Sequence, residues 1–321
     1  MVKWLLYSLL LFAIGLLIII MPGIVDYTNT DSWYVNLAQV LKDYPQFRLS
    51  FGIALLVLGL IGLSFACFQF IRQNTAFVIQ QSGDGDYGNP SLSYPKLIIG
   101  AQEPLIYENV ASLNRNDKSI LDLDKNRITR FYGGLKDKKR IAFLGVALFP
   151  YLVYAGFVVG NAGQKVSYFH YNRNKSKSEW IYPGIKTKNR IKINQTIDTN
   201  GNDTEVTIAV SVSYSIDKEI VKKQFGNQKT VFLESEIIST EAIKNRKTLD
   251  SLANDVRKAI DNESRNASIV NLLLSCPAEL CFAIGQRMSS PGLPLIKVYN
   301  FNKKSINNEW DWNVDLNRAN Y

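Results

Sequence analysis

A stretch that occurs twice at an offset of 130 residues, Ile141 to Trp180 and Asn271 to Trp310, constrains this chain most, because a duplication fixes both fold class and internal symmetry. Superposed without gaps, Leu144 falls on Leu274, Ala155 on Gly285, Phe169 on Tyr299, Asn172 on Asn302, Arg173 on Lys303, and Glu179-Trp180 on Glu309-Trp310. Few residues are identical, but the order is shared: an apolar strand, a small-residue turn, an apolar helix, a Gly-containing loop, a second strand, a basic residue and a Trp. That order describes a β-α-β unit. Such a unit presents its ligand-facing turn at the carboxyl end of a strand, where the next helix begins and its free N–H groups gather. Two related units would face each other across a pseudo-twofold crevice. The matching turns are Gly145-Val146-Ala147 and Ser275-Cys276-Pro277, and Pro277 suits the first turn of a helix, where no backbone N–H is needed. Small residues there either let a ligand approach the backbone or make tight packing turns in an α/β core; the sequence leaves both open.

With 46% hydrophobic residues the chain can bury a sizeable core and carry membrane segments besides. No charge occurs from Trp4 to Val25 or from Leu49 to Ile71, and either stretch is long enough to cross roughly 30 Å of hydrocarbon. Two transmembrane helices are therefore expected within residues 1–72, at about 4–25 and 49–71. The first ends at Met21-Pro22-Gly23 with no small-residue cleavage site, so it reads as an anchor rather than a removed signal peptide. The connecting segment holds Asp26, Asp31, Lys42, Asp43 and Arg48, while Lys3 and Arg72 flank the pair. The positive-inside rule then places the N-terminus and the region after residue 72 in the cytoplasm. A third uncharged stretch, Ile141 to Gln164, is interrupted by Gly145, Pro150, Gly156, Gly160 and Gly163, and its repeat partner carries Glu279 and Arg287. It belongs in a soluble core, where a buried strand and helix read as one apolar run.

The net charge of +9 lies mostly beyond residue 72 and favours an anionic partner, without ranking nucleotide, nucleic acid or acidic leaflet. Cys67, Cys276 and Cys281 give neither a disulfide framework nor a zinc spacing. The Gly/Asp-rich loop Ser82 to Gly88 lacks the carboxylate positions of a calcium loop and reads as a turn. There is one histidine, His170, which reads as a packing residue of a strand, and no Walker A, GxSxG, HExxH or paired-carboxylate motif. No catalytic residue, metal or cofactor is expected, and the chain does not read as an enzyme. Strands are expected at Phe77 to Ile79, Lys96 to Gly100 and Val206 to Ile216, and a helix at Leu249 to Ile260 with Leu252, Val256 and Ile260 on one face. Leu121-Asp122 and Leu249-Asp250 precede the two copies and extend the duplication upstream.

Ile141-Ala-Phe-Leu-Gly-Val-Ala-Leu-Phe-Pro150 leading into Val166-Ser-Tyr-Phe-His-Tyr-Asn-Arg173 and Trp180, together with Leu272-Leu-Leu-Ser-Cys-Pro-Ala-Glu-Leu-Cys-Phe-Ala-Ile-Gly285 leading into Ile296-Lys-Val-Tyr-Asn-Phe301, resembles the SAVED domain. The resemblance implies an α/β domain of two fused CARF-like, Rossmann-type halves at residues 73–321, with half 1 about 76–185 and half 2 about 186–321. Behind two transmembrane α-helices, such a domain is similar to the membrane-spanning SAVED effectors of cyclic-oligonucleotide-based (CBASS) antiphage signalling. The ligand implied is a cyclic di-, tri- or tetranucleotide made by a cognate cyclase, not polymeric nucleic acid. It would lie against Gly145, Val146, Ala147 and Phe149 on one side and Ser275, Cys276, Pro277 and Ala278 on the other. Arg173 and Lys303 would meet phosphates, and Trp180, Trp310 and Trp312 would stack on bases; Trp180 and Trp310 serve equally as core anchors. Ligand-induced homo-oligomers would gather the helices, whose Gly62-x-x-x-Ala66 and Ser50-x-x-x-Ala54 faces suit close packing, and disrupt the bacterial inner membrane in abortive infection. A membrane-anchored scaffold without pore activity is the competing reading, and a membrane-bound hydrolase a third.

Overall fold

The long uncharged stretches at the N-terminus become helices and the duplicated region becomes two sheets, in a computed structural model that describes residues 2–20, 43–82, 98–106, 118–135, 140–160, 165–172, 179–181, 191–198, 202–289, 292–302 and 309–316. The chain divides into two compact units, Met1–Thr75 and Ala76–Tyr321. The Gly83 to Gly88 part of the expected turn, the Asp26 to Lys42 part of the connecting segment, and Arg173 and Lys303 lie outside the described residues.

In the first unit, α1 (Val2–Ile20) and α2 (Pro45–Asn74) pack antiparallel, with Gly15 against Gly52, Phe12 against Gly59 and Ser8 against Gly62. Ser8 and Gly15 on one helix, and Gly52, Gly59 and Ala66 on the other, are buried at seven-residue spacing. Small residues at that period form a seam along which two backbones approach closely. Of the two small-residue faces expected for close packing, Gly62 and Ala66 lie on this seam, whereas Ser50 and Ala54 are exposed. By length and composition one helix among the described residues could cross a membrane, Leu49–Phe68 within α2; α1 contributes a shorter apolar stretch, Tyr7–Leu16. Where two spans are expected, one helix among the described residues meets the requirement. The first helix is described from Val2 to Ile20, and Met21 to Val25 of the expected span lie outside the described residues.

In the second unit, strands β1 (Thr75–Ser82), β2 (Ile98–Ile106), β3 (Arg140–Val146), β4 (Lys165–Asn172) and β5 (Glu179–Ile181) form a five-stranded sheet in the order β2-β1-β3-β4-β5. Six further strands, β6 (Ile193–Asp198), β7 (Asn202–Ser211), β8 (Gln228–Ser235), β9 (Ile269–Ser275), β10 (Leu295–Asn302) and β11 (Glu309–Leu316), form a second sheet in the order β11-β10-β9-β7-β8-β6. The two orders are the same once β6 is set aside as an added edge strand. In both, three central strands run parallel and the strand at one edge is antiparallel to its neighbour. Among the described residues five helices connect them: α3 (Lys118–Gly133), α4 (Phe149–Val159), α5 (Lys218–Phe225), α6 (Arg246–Glu263) and α7 (Ala278–Met288). The architecture is an α/β domain of two related halves with mixed sheets.

The duplication carries a one-residue offset that gapless superposition missed. Strand β3 and helix α4 match β9 and α7 at 129 residues, helix for helix at 11 residues each, whereas β4 and β10 begin 130 apart, at Lys165 and Leu295. The partner of Gly285 is therefore Gly156, not Ala155. This pairing has a physical reason: a Cβ on Gly156 would strike the Phe282 carbonyl, and one on Gly285 the Val153 carbonyl. Val153 and Phe282 are themselves 129 apart, so α4 and α7 cross about a pseudo-twofold axis at two facing glycines. The part of the uncharged stretch that is described, Ile141 to Gly160, forms β3 and α4, with α4 buried from Pro150 to Val159.

One apolar core joins both halves. The Phe282 ring sits 4.0 Å from that of Phe143, between centroids, and near Tyr132 and Tyr168. Helix α6 follows the spacing read from the sequence: Leu249, Leu252, Val256 and Ile260 are fully buried. It begins at Asn245, whose side chain accepts from the Thr248 N–H at 2.8 Å.

Candidate functional site

The strand order 2-1-3-4-5 creates a switch point where chain connections diverge, and open α/β sheets bind ligands outside the carboxyl ends of the strands there. A cleft of about 280 Å³ lies at those ends, lined by Gly145, Val146, Ala147 and Phe149 from the first half and by Cys276, Pro277, Ala278 and Glu279 from the second. His170 and Tyr171, at the end of β4, and Ser213, Tyr214 and Thr240 complete it. The volume is just below the roughly 300–1,000 Å³ usual for ligand sites.

The turns are held by backbone geometry. Ser275 is not among the lining residues; its carbonyl accepts from the N–H groups of Val212 and Ser213 at 2.9 and 2.8 Å, tying the end of β9 to the segment after β7. Helices α4 and α7 start at Leu148 and Pro277, and neither residue caps the first turn with a side chain. Those N–H groups begin at the cleft. Pro277 is thus the cap rather than the first-turn residue expected of it, and Pro150 takes that place in α4. The smallness of Gly145 has a packing cause: a Cβ would lie 2.5 Å from the Phe143 ring and 3.0 Å from Leu152.

Across the cleft, His170 of β4 and Glu279 of α7 form a pair, Nδ1 to Oε1 at 3.0 Å. The Glu279 side chain is 2% exposed and that of His170 18%. Burial alone would lower the imidazole pKa, but the Glu279 hydrogen bond and charge, with the charge of Glu241, outweigh it and raise the pKa above its ordinary value. Beside the cleft mouth Tyr214 is 68% exposed, an aromatic face open to solvent.

Seven of the expected site residues, Gly145, Val146, Ala147, Phe149, Cys276, Pro277 and Ala278, are brought together in this cleft. Trp310 and Trp312 are placed elsewhere. Trp310 is 4% exposed in a small second core with Val221, Phe225 and Leu273, its backbone bonded to the Gln224 side chain. Trp312 packs on the main core with its ring 5.5 Å from that of Tyr151, between centroids. A bulge explains both: residues two apart in a strand share a face, but Asn300 pairs with Trp312 and Phe301 with Trp310, so β11 carries an extra residue between the two rings and sends them to different cores. Trp180 pairs with Tyr171 in the β4–β5 ladder. Glu279, Ser213, Tyr214 and Thr240 were not read from the sequence, and His170 was read only as packing. The signal was the sole histidine and a single acid immediately after Pro277-Ala278; what brings them together is the meeting of the halves. Among the described residues no cluster of His, Cys, Asp and Glu could hold a metal.

Residues 124–316 match the family described as the SMODS-associated and fused to various effectors sensor domain, SAVED, over more than half of the chain. The chain belongs to the SAVED family. No curated protein matches it in sequence. Among solved structures it is similar to the Acinetobacter baumannii Cap4 SAVED/CARF-domain containing receptor with the cyclic trinucleotide 3'3'3'-cAAA, at 16% identity and a TM-score of 0.50, covering 90% of this chain and 67% of that one. The same receptor with 2'3'3'-cAAA aligns at 16% identity and a TM-score of 0.52, covering 88% and 62%. Without ligand it aligns at 14% identity and 0.50, covering 90% and 65%. The chain therefore spans about two thirds of the length of these receptors, with which it shares the fold. The matched SAVED residues include both turns of the cleft, His170 and Glu279.

Proposed function

We propose that this SAVED protein is a membrane-associated sensor whose cleft binds a cyclic oligonucleotide. The observation that carries the reading is the convergence of the turns that follow β3 and β9, Gly145–Ala147 and Cys276–Ala278, on one cleft. The solved Cap4 receptors with cyclic trinucleotides support the ligand class, and a cyclic di-, tri- or tetranucleotide from a cognate cyclase fits it. A cleft of about 280 Å³ would take part of such a ring and leave the rest over the mouth, against Tyr214. Arg173 and Lys303 are proposed as phosphate partners, and Trp180 as a stacking surface. The test is thermal unfolding of the full chain in detergent against a panel of these compounds. A ligand at 100 times its dissociation constant adds about 2.7 kcal/mol, a rise of roughly 5–10 °C. An unchanged midpoint across the panel would refute the sensor reading.

In the output step, ligand-bound domains assemble as homo-oligomers and gather the helices, disrupting the inner membrane of the infected bacterium. Both helices would span in this reading, with the SAVED domain cytoplasmic. The antiparallel seam of Gly15, Gly52 and Gly59 supports a hairpin, and α1, at 19 residues, is about 28 Å long. A second reading, an anchored sensor that recruits another protein without breaching the bilayer, is favoured by the single helix that meets the length and hydropathy requirement. Dye release from liposomes on ligand addition separates them: release supports disruption, and sealed vesicles with bound ligand support the anchor.

A further inference from the structure

Cyclic oligonucleotides carry one negative charge per phosphodiester, so a cleft that holds one needs cationic donors as well as backbone N–H groups. Among the described residues lining this cleft there is no Lys or Arg; His170 is the only side chain able to carry positive charge. Its Nε2 makes no hydrogen bond with the described residues, while Nδ1 is held by Glu279 at 3.0 Å. Resting on the sensor reading above, we propose that His170 contacts a ligand phosphate through Nε2–H, and that Glu279, from the other half, is its positioning residue.

The chemistry follows from the two ring nitrogens. A neutral imidazole that donates from Nδ1 to Glu279 has a lone pair at Nε2, which repels a phosphate oxygen; only the imidazolium donates from both. Glu279 thus fixes the ring orientation and favours the charged form, as carboxylates behind functional histidines do. The charged groups that bear on the ring are Glu279 from α7 and Glu241 from the segment after β8; the other ionisable side chains lining the cleft are Tyr171, Tyr214 and Cys276. Burial opposes protonation and the two glutamates outweigh it, so the ring holds its proton more tightly than a free imidazole does. A bound phosphate adds a third anion and holds the proton more tightly. Ligand affinity is therefore coupled to pH, falling as the imidazolium deprotonates.

His170 is the only histidine of the chain, so histidine labelling gives one imidazole NMR signal for the full protein in detergent. The probes are 3'3'3'-cAAA and the di- and tetranucleotide members of the panel. With the binding member present, the His170 titration should move to higher pH, and affinity should decline with rising pH. H170Q should bind about 10- to 100-fold more weakly below neutrality and lose the pH dependence. E279Q should keep binding at low pH while its decline moves to lower pH, an effect that a purely structural bridge would not produce. If E279Q does not fold, the wild-type titration decides alone. Ligand binding that leaves the His170 signal unmoved, or H170Q binding at wild-type affinity, would overturn the assignment while leaving the sensor reading standing. Absence of binding by every compound to wild type would instead remove the sensor reading and this assignment with it.

Discussion

Substituting Ala for Gly156 or Gly285 should separate the two halves of the domain at their crossing. An added Cβ on Gly156 would lie 2.8 Å from the Phe282 carbonyl carbon and nearer still to its oxygen; on Gly285 it would lie 2.8 Å from the Val153 carbonyl carbon and 2.9 Å from the Phe157 nitrogen. Carbon atoms rest at roughly 3.5–4.0 Å, so the helices must part by about 1 Å. Both obstacles are helix backbone, which cannot turn aside as a side chain can. Overpacking of this kind costs about 1–3 kcal/mol, and here the upper value applies. Ala regains about 1 kcal/mol of helix propensity over Gly, for a net loss of roughly 2 kcal/mol. In a domain of this size that lowers the midpoint by about 4–8 °C. Because the first Cβ has already parted the helices, the double variant should lose less than the sum of the singles, with a coupling of about 1 kcal/mol. Thermal unfolding of the full chain in detergent, followed by tryptophan fluorescence, measures all three. Gly133, with nothing within 4 Å of an added Cβ, is the control and should be neutral or slightly stabilised as Ala. Singles that melt with wild type, or a strictly additive double, would refute the close-crossing argument. The cleft lies at the N-terminal ends of these same helices, so the singles should also weaken ligand response.

Truncating Phe282 to Ala, at the centre of the joint core, should cost about 3–5 kcal/mol and leave little folded domain at 37 °C, seen as lost near-UV dichroism. Tyr151→Phe removes the hydroxyl that donates to Asp124 Oδ2 at 3.0 Å and should cost about 1–3 kcal/mol by denaturant titration. The raised His170 pKa makes the His170–Glu279 pair stabilising below about pH 6.5, with that contribution lost as pH rises through the folded-state value; H170Q should flatten this part of the stability–pH curve. On α2, exchanging the outward Leu58, Ile61 and Phe65 for other apolar residues should leave membrane fractionation unchanged; if it abolishes ligand-triggered dye release, the helices do more than anchor.

The sequence by itself determined the β-α-β repeat, the burial of the apolar run from Pro150 to Val159, the helix face of Leu252, Val256 and Ile260, and the strand-end turns that line the cleft. Each is a local or periodic property: apolar runs and 3.6-residue spacing report on burial whatever partner supplies it. It also displayed two apolar N-terminal helices, but not the Gly52, Gly59 and Ala66 seam, which appears only when α1 supplies the opposing Ser8 and Gly15. The one-residue offset between the copies was invisible because chemically similar residues stand at both registers; a backbone crossing at Gly156 and Gly285 was needed to decide it. The family resemblance implies aromatic contacts at Trp310 and Trp312, yet the packing of β11 turns both rings into core. His170 and Glu279 are 109 residues apart, and no pattern links them. Only the packing of β4 from one half beside the start of α7 from the other brings an imidazole and a carboxylate to 3.0 Å, because a site built across an interface is encoded in how two surfaces meet rather than in either segment.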